Sequence, residues 1–132
     1  MKRLIANALM LVGCVTLSSQ ILALGLGELT LKSALNQPLV AEIELVDSDG
    51  FTDEEIKASL AGQSAFDKAG VERSYFLTKI RFSSTSGKIQ LVTRESVTEP
   101  FLNFLVELNW PSGRVLREYT LLLDPPTFAE DN

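Results

Sequence analysis

The side chains able to do chemistry are carboxylates and a few residues at one turn. Histidine is absent from all 132 residues, which removes the usual general base, the Ser/His and Cys/His nucleophile pairs and the commonest metal ligand. Glu42 and Glu44 stand two apart, and Glu54 and Glu55 are adjacent. Paired carboxylates divide acid and base work only where their environments differ, and at these spacings they read as the solvated faces of a strand and a helix. The chain is therefore expected not to be an enzyme and to need no cofactor or metal. Asp47-Ser48-Asp49-Gly50 has the composition of a calcium loop without its spacing. Such a loop places Gly sixth and a bidentate Glu twelfth, whereas Gly50 falls fourth after Asp47, as in an Asx/Gly turn. Gly25-Leu26-Gly27 is a lone Gly-x-Gly with no strand before it and no helix after it, too little for a phosphate cradle.

What remains is recognition chemistry at residues 110–117. Trp110 stands beside Pro111 and Arg114 at a turn, where an indole can be half exposed and anchor a contact. Trp110, Pro111, Ser112, Gly113, Arg114 and Arg117 are the candidate partner-contact residues. Phe104 and Tyr119 read as core. In an alternative cell-wall reading, Trp110 and Tyr119 would be stacking platforms for a glycan.

A hairpin over residues 99–126 must position that turn. Its first arm puts Leu102, Phe104, Val106, Leu108 and Trp110 on one face, the period-two pattern of a half-buried strand. The second arm puts Val115, Tyr119, Leu121 and Leu123 on the matching face, with Arg117 as the exception. Joining the faces sets even positions opposite odd ones, so the loop holds an even number of residues, either Ser112-Gly113 or residues 111–114. A three-residue loop would turn the faces over. The even loop sets Glu107 opposite Glu118, a cross-strand penalty of about 0.2–1 kcal/mol, smaller than the roughly 1.5–3 kcal/mol from burying each large apolar side chain.

Earlier in the chain, residues 26–34 and 39–46 alternate as two strands around a turn at Asn36-Gln37-Pro38. Thr52 and Glu55 form a capping box, predicting a helix to about Ala61 with Ile56 and Leu60 facing the core and Gly62 ending it. A second short helical turn at 65–69, started by Ser64, closes at Gly70. Residues 78–83 and 88–93 form another hairpin around Ser84-Thr85-Ser86-Gly87. Six strands, or seven if 96–99 pairs, predict a mainly β fold, an antiparallel immunoglobulin-like sandwich with a short helical insert. An open sheet covered by that insert is the alternative.

The formal net charge of −5 argues against nucleic acid as a partner, because binding it requires a basic surface. Lys2 and Arg3 precede an uncharged apolar run over 4–23, the pattern of a secretory signal. Residues 1–23 are therefore expected to be a signal peptide, 24–126 the β domain and 127–132 a C-terminal tail. Cleavage after Ala23 leaves 10 basic against 17 acidic residues, a balance of −7. Two other fates stay open: lipidation at Cys14 within Leu11-Val12-Gly13-Cys14, and an uncleaved anchor of about 20 residues. Membrane attachment is expected only through one of these. Cys14 is the single cysteine, so no intramolecular disulfide staples the fold.

Residues 24–45 (LGLGELTLKSALNQPLVAEIEL), 75–82 (YFLTKIRF) and 99–126 (EPFLNFLVELNWPSGRVLREYTLLLDPP), with Phe66-Asp67-Lys68-Ala69-Gly70-Val71-Glu72-Arg73 between them, resemble the N-terminal periplasmic domain of the FimV/HubP family. The resemblance implies a non-enzymatic scaffold of the Gram-negative envelope, periplasmic or associated with the inner membrane, linked to type IV pilus assembly, twitching motility and polar organisation. Its expected partners are envelope and pilus assembly proteins, with peptidoglycan as the alternative. The family usually continues into a linker, a LysM module, a transmembrane helix and cytoplasmic repeats. Residues 1–132 carry none of these, so a fragment or a free-standing copy of the domain is expected, and no binding role of those parts is carried over.

Overall fold

The computed structural model describes residues 24–125; the signal, Cys14 and tail expectations lie outside them. Seven antiparallel strands form two sheets. One sheet holds β1 (Gly25–Leu31), β2 (Pro38–Val46), β4 (Arg81–Thr85) and β5 (Lys88–Ser96) in the order β1-β2-β5-β4. The other holds β3 (Lys57–Leu60), β6 (Phe101–Trp110) and β7 (Gly113–Leu122) in the order β3-β6-β7. This four-plus-three order is that of a constant-type immunoglobulin sandwich. The sandwich expectation holds and the open-sheet alternative does not.

The core follows from alternation. Leu39, Ala41 and Ile43 of β2 and Ile89 and Leu91 of β5 face Leu102, Phe104, Val106 and Leu108 of β6, all buried. The Phe104 and Tyr119 rings meet with centroids 6.3 Å apart. With no disulfide among the described residues, this apolar layer holds the sheets together.

One element differs from expectation. The capping box is real, with the Thr52 backbone N–H donating to Glu55 Oε1 at 2.8 Å, but it starts only a 3₁₀ turn at Asp53–Glu55. The chain then becomes β3, which pairs with β6 from Lys57↔Asn109 to Leu60↔Val106. Ile56 and Leu60, four apart, satisfy a helix face and a strand face alike. Ala58 between them, half-buried while Lys57 and Ser59 are exposed, fits only the strand. The seventh strand is thus β3 and not residues 96–99. Gly62 does not end a helix; it is the N-cap of α1 (Gln63–Ala69), which closes on left-handed Gly70 at φ 70°. Buried Phe66 anchors α1, and Arg73 covers its ring while donating from Nε to the Ala61 carbonyl at 3.0 Å.

The β4–β5 turn is tighter than its four-residue composition suggests. Thr85 pairs with Lys88, and Ser86 and Gly87 both have positive φ, the signature of a type I′ hairpin. Among the described residues, no helix is long and apolar enough to cross a membrane.

Candidate functional site

The β6–β7 hairpin has an even loop, as expected, but its pairing is shifted by two residues from the register that both expected loops share. Trp110 pairs with Gly113, so the loop is Pro111-Ser112. The shift keeps every face and removes the expected Glu107–Glu118 clash: Glu107 lies opposite Leu116, and Glu118 opposite Leu105. Neither Pro111 nor Ser112 has positive φ, so the primed turns that favour two-residue hairpins are excluded. A Pro at the first loop position suits a type I turn instead.

Gly113 allows this closure because the Trp110 indole folds across it. A Cβ there would lie 2.7 Å from Trp110 Cζ2. The indole is half-buried against the end of the core. Its Nε1 is the one buried side-chain nitrogen or oxygen among the described residues that lacks a hydrogen-bond partner. Arg114 is exposed, with its guanidinium 3.9 Å from Glu107 Oε2, to which Asn109 also donates at 2.8 Å. Beside this cluster, a groove of about 360 Å³ runs between Ala65 and Lys68 of α1 and Glu107, Arg114 and Leu116 of the hairpin. Trp110, Pro111, Ser112, Gly113 and Arg114 therefore sit together at one end of the sandwich.

Arg117 does not join them. It lies opposite Val106 on the core-facing side, and its guanidinium reaches across to β1, donating to the carbonyls of Leu26 and Gly27 at 2.8 Å each. It also stacks 5.0 Å over the Tyr119 ring, whose hydroxyl donates to the same Gly27 carbonyl at 2.7 Å. The charge on the apolar face is thus a structural tie between the edges of the two sheets. Tyr119, only 6% exposed, cannot serve as a glycan platform. The sequence signal for this tie was present in Gly25-Leu26-Gly27, which marks a bulge in β1 and not a ligand loop.

Burial pushes the Tyr119 phenol above its ordinary 10.0, and the neighbouring Arg117 charge opposes only part of that rise. Because the folded value is raised, the contribution of Tyr119 is fully present below about pH 10 and is lost as pH climbs through the folded value, where the unfolded chain has already ionised. Tyr119→Phe is expected to cost about 0.5–1.5 kcal/mol at neutral pH through the lost hydrogen bond. The gap between variant and parent should narrow above pH 10 in urea unfolding. A gap constant from pH 8 to 12 would show that the phenol does not contribute in this way.

Residues 24–126 match the family model of the FimV N-terminal, Ig-like domain. The "Motility hub protein FimV" of two Pseudomonas aeruginosa strains is 53% identical over 111 residues, which cover 80% of this chain and 12% of each relative. The chain thus spans about an eighth of the length of those curated relatives. A model match over most of the described chain and an identity of this size have one reading: the chain belongs to the FimV N-terminal domain family.

Proposed function

We propose that this chain is an exported, periplasmic, non-enzymatic scaffold module of the FimV/HubP type. It serves pilus assembly, twitching motility and cell-pole organisation by binding an envelope protein through the hairpin end at residues 110–114. The observation that carries the contact is Trp110. Its half-buried indole, with an unpartnered N–H, closes the core side of the hairpin end whose outer side carries exposed Arg114 and the groove under α1, so one end of the sandwich offers both the aromatic and the arginine found at energetic centres of protein interfaces. The motility role is supported by the name of the 53% identical relatives.

The test is twitching in the source bacterium. Variants Trp110→Ala and Arg114→Glu are introduced separately, and chain abundance is followed by immunoblot. Arg114 is exposed, so its variant probes contact with little effect on folding. Reduced twitching zones at unchanged abundance are expected for both, and wild-type zones for Arg114→Glu would reject the hairpin end as the contact. The cell-wall alternative keeps one specific support, the indole itself. Retention on purified peptidoglycan sacculi that is lost in Trp110→Ala would favour that reading over protein contact.

A further inference from the structure

A second surface lies at the opposite pole of the sandwich. β5 ends at Ser96 beside the start of β6 at Phe101, and β6 runs away from that pole to Trp110. Here β4 does not continue to the end of β5. The ladder stops at Arg81↔Val92, because the preceding residues form a 3₁₀ turn at Tyr75–Lys79. A cleft of about 290 Å³ opens where the strand is missing, lined by Thr78, Lys79, Ile80, Arg81, Arg94 and Glu95.

The charge of this cleft is opposite to that of the chain. Lys79 is partnered, its ammonium 2.7 Å from Glu95 and 5.0 Å from the Tyr75 ring centre. Arg81 and Arg94 have no carboxylate within 4.0 Å among the described residues. They lie on one outward face, because Arg81 is opposite Val92 and Arg94 is two residues further along β5. That diagonal spacing is about 7–8 Å between backbones, within reach of two guanidinium forks converging on neighbouring carboxylates. Next to them, Val92 pairs with Val40, and both are exposed valines on a face otherwise largely polar.

We propose that this cleft binds a short acidic peptide segment, with Arg81 and Arg94 clamping its carboxylates and the Val40–Val92 pair receiving an apolar side chain. Charge complementarity selects this occupant over an extended polyanion. At physiological salt, fields decay over about 8 Å, so a short segment meets chiefly the local cations. A nucleic acid or anionic membrane would also meet the remaining surface of a chain with 17 acidic and 12 basic residues. The inference goes beyond the hairpin reading and does not rest on it, since the two surfaces lie at opposite poles.

The test follows backbone amide and arginine side-chain signals of the isotope-labelled chain by NMR. The probes are acetylated hexaglutamate, hexaglutamine and phosphatidylglycerol vesicles. Hexaglutamate is expected to give saturable shifts centred on Arg81 and Arg94, and hexaglutamine none. Arg81→Gln with Arg94→Gln, both exposed changes, should weaken binding by about tenfold or more, whereas Trp110→Ala should leave it unchanged. Hexaglutamate affinity unaltered in the double variant, shifts without saturation, or stronger binding to the vesicles would each overturn the proposal.

Discussion

Replacing Thr93 by Val is expected to destabilise the domain by about 2–3 kcal/mol, although the side-chain volume barely changes. The reason lies in a mismatch between β2 and β5. Their register jumps from Pro38↔Ser96 to Val40↔Val92, so Leu39 faces a longer stretch of β5 and has no ladder carbonyl to receive its N–H. Thr93 Oγ1 accepts that N–H at 2.9 Å and donates its own proton to the Glu95 carbonyl at 2.7 Å. Leu39 is fully buried, and no water reaches its N–H once the hydroxyl is gone. An orphaned buried donor costs about 1–3 kcal/mol, and the lost bond to the half-solvated Glu95 carbonyl adds roughly 0.5–1. Thr93→Ser separates this from packing, since it keeps Oγ and loses only a methyl worth about 0.8 kcal/mol. Chemical unfolding should rank the parent above Thr93→Ser and Thr93→Ser above Thr93→Val. If Thr93→Val matched or exceeded Thr93→Ser, the hydroxyl would not be the link between the strands.

Thr93 also shows where sequence reading succeeds and where it stops. Its inward position follows from alternation with Ile89 and Leu91 along β5, and that part of the fold is legible because one side of each sheet must be dry. The function of its hydroxyl is not, since it depends on a bulge that only the pairing of β2 with β5 creates. β3 was misread for a related reason. Thr52 and Glu55 form a genuine helix start, and a signal four residues long cannot say whether the chain continues as helix; the open edge of β6 decided the matter by supplying hydrogen-bond partners for Lys57–Leu60. At the hairpin, parity was legible because it is set by which faces are apolar, but a shift of the pairing by two residues leaves those faces unchanged. The fit of Trp110 over Gly113 and the separation of Glu107 from Glu118 distinguish the two registers. Arg117 reads from the sequence as a contact residue because it is the one charge on an otherwise apolar strand face. Its partners are backbone carbonyls some 90 residues away, and their one mark on the sequence is the pair of glycines flanking Leu26, which does not name Arg117 as the donor.

Those carbonyls place the other large effect at Gly27. Gly27→Ala is expected to cost on the order of 3 kcal/mol, and Gly27→Val more, combining overpacking of about 1–3 kcal/mol with weakening of the tie between the sheets. β1 carries one extra residue against β2 here, with Leu26↔Leu45 followed by Leu29↔Ile43. The bulge brings Gly27 so close to its neighbour that a Cβ would lie 2.8 Å from the Glu44 carbonyl oxygen. Gly27 has no positive φ, so the need for glycine comes from this approach and not from backbone handedness. The obstacle is main chain and cannot rotate away; β1 itself must move, taking with it the Gly27 carbonyl that accepts from both Tyr119 and Arg117. Gly25 supplies the control, because a Cβ there meets Val46 Cβ at 3.3 Å, a far smaller overlap than at Gly27, and Gly25→Ala should cost much less. Gly27→Ala combined with Tyr119→Phe adds a coupling measurement. Both changes act on the same hydrogen bond, so the double variant should be less destabilised than the sum of the singles by about 0.5–1 kcal/mol. Strict additivity would mean that β1 accommodates the methyl without moving the carbonyl, and the tie from β7 to β1 would then be independent of the bulge that presents it.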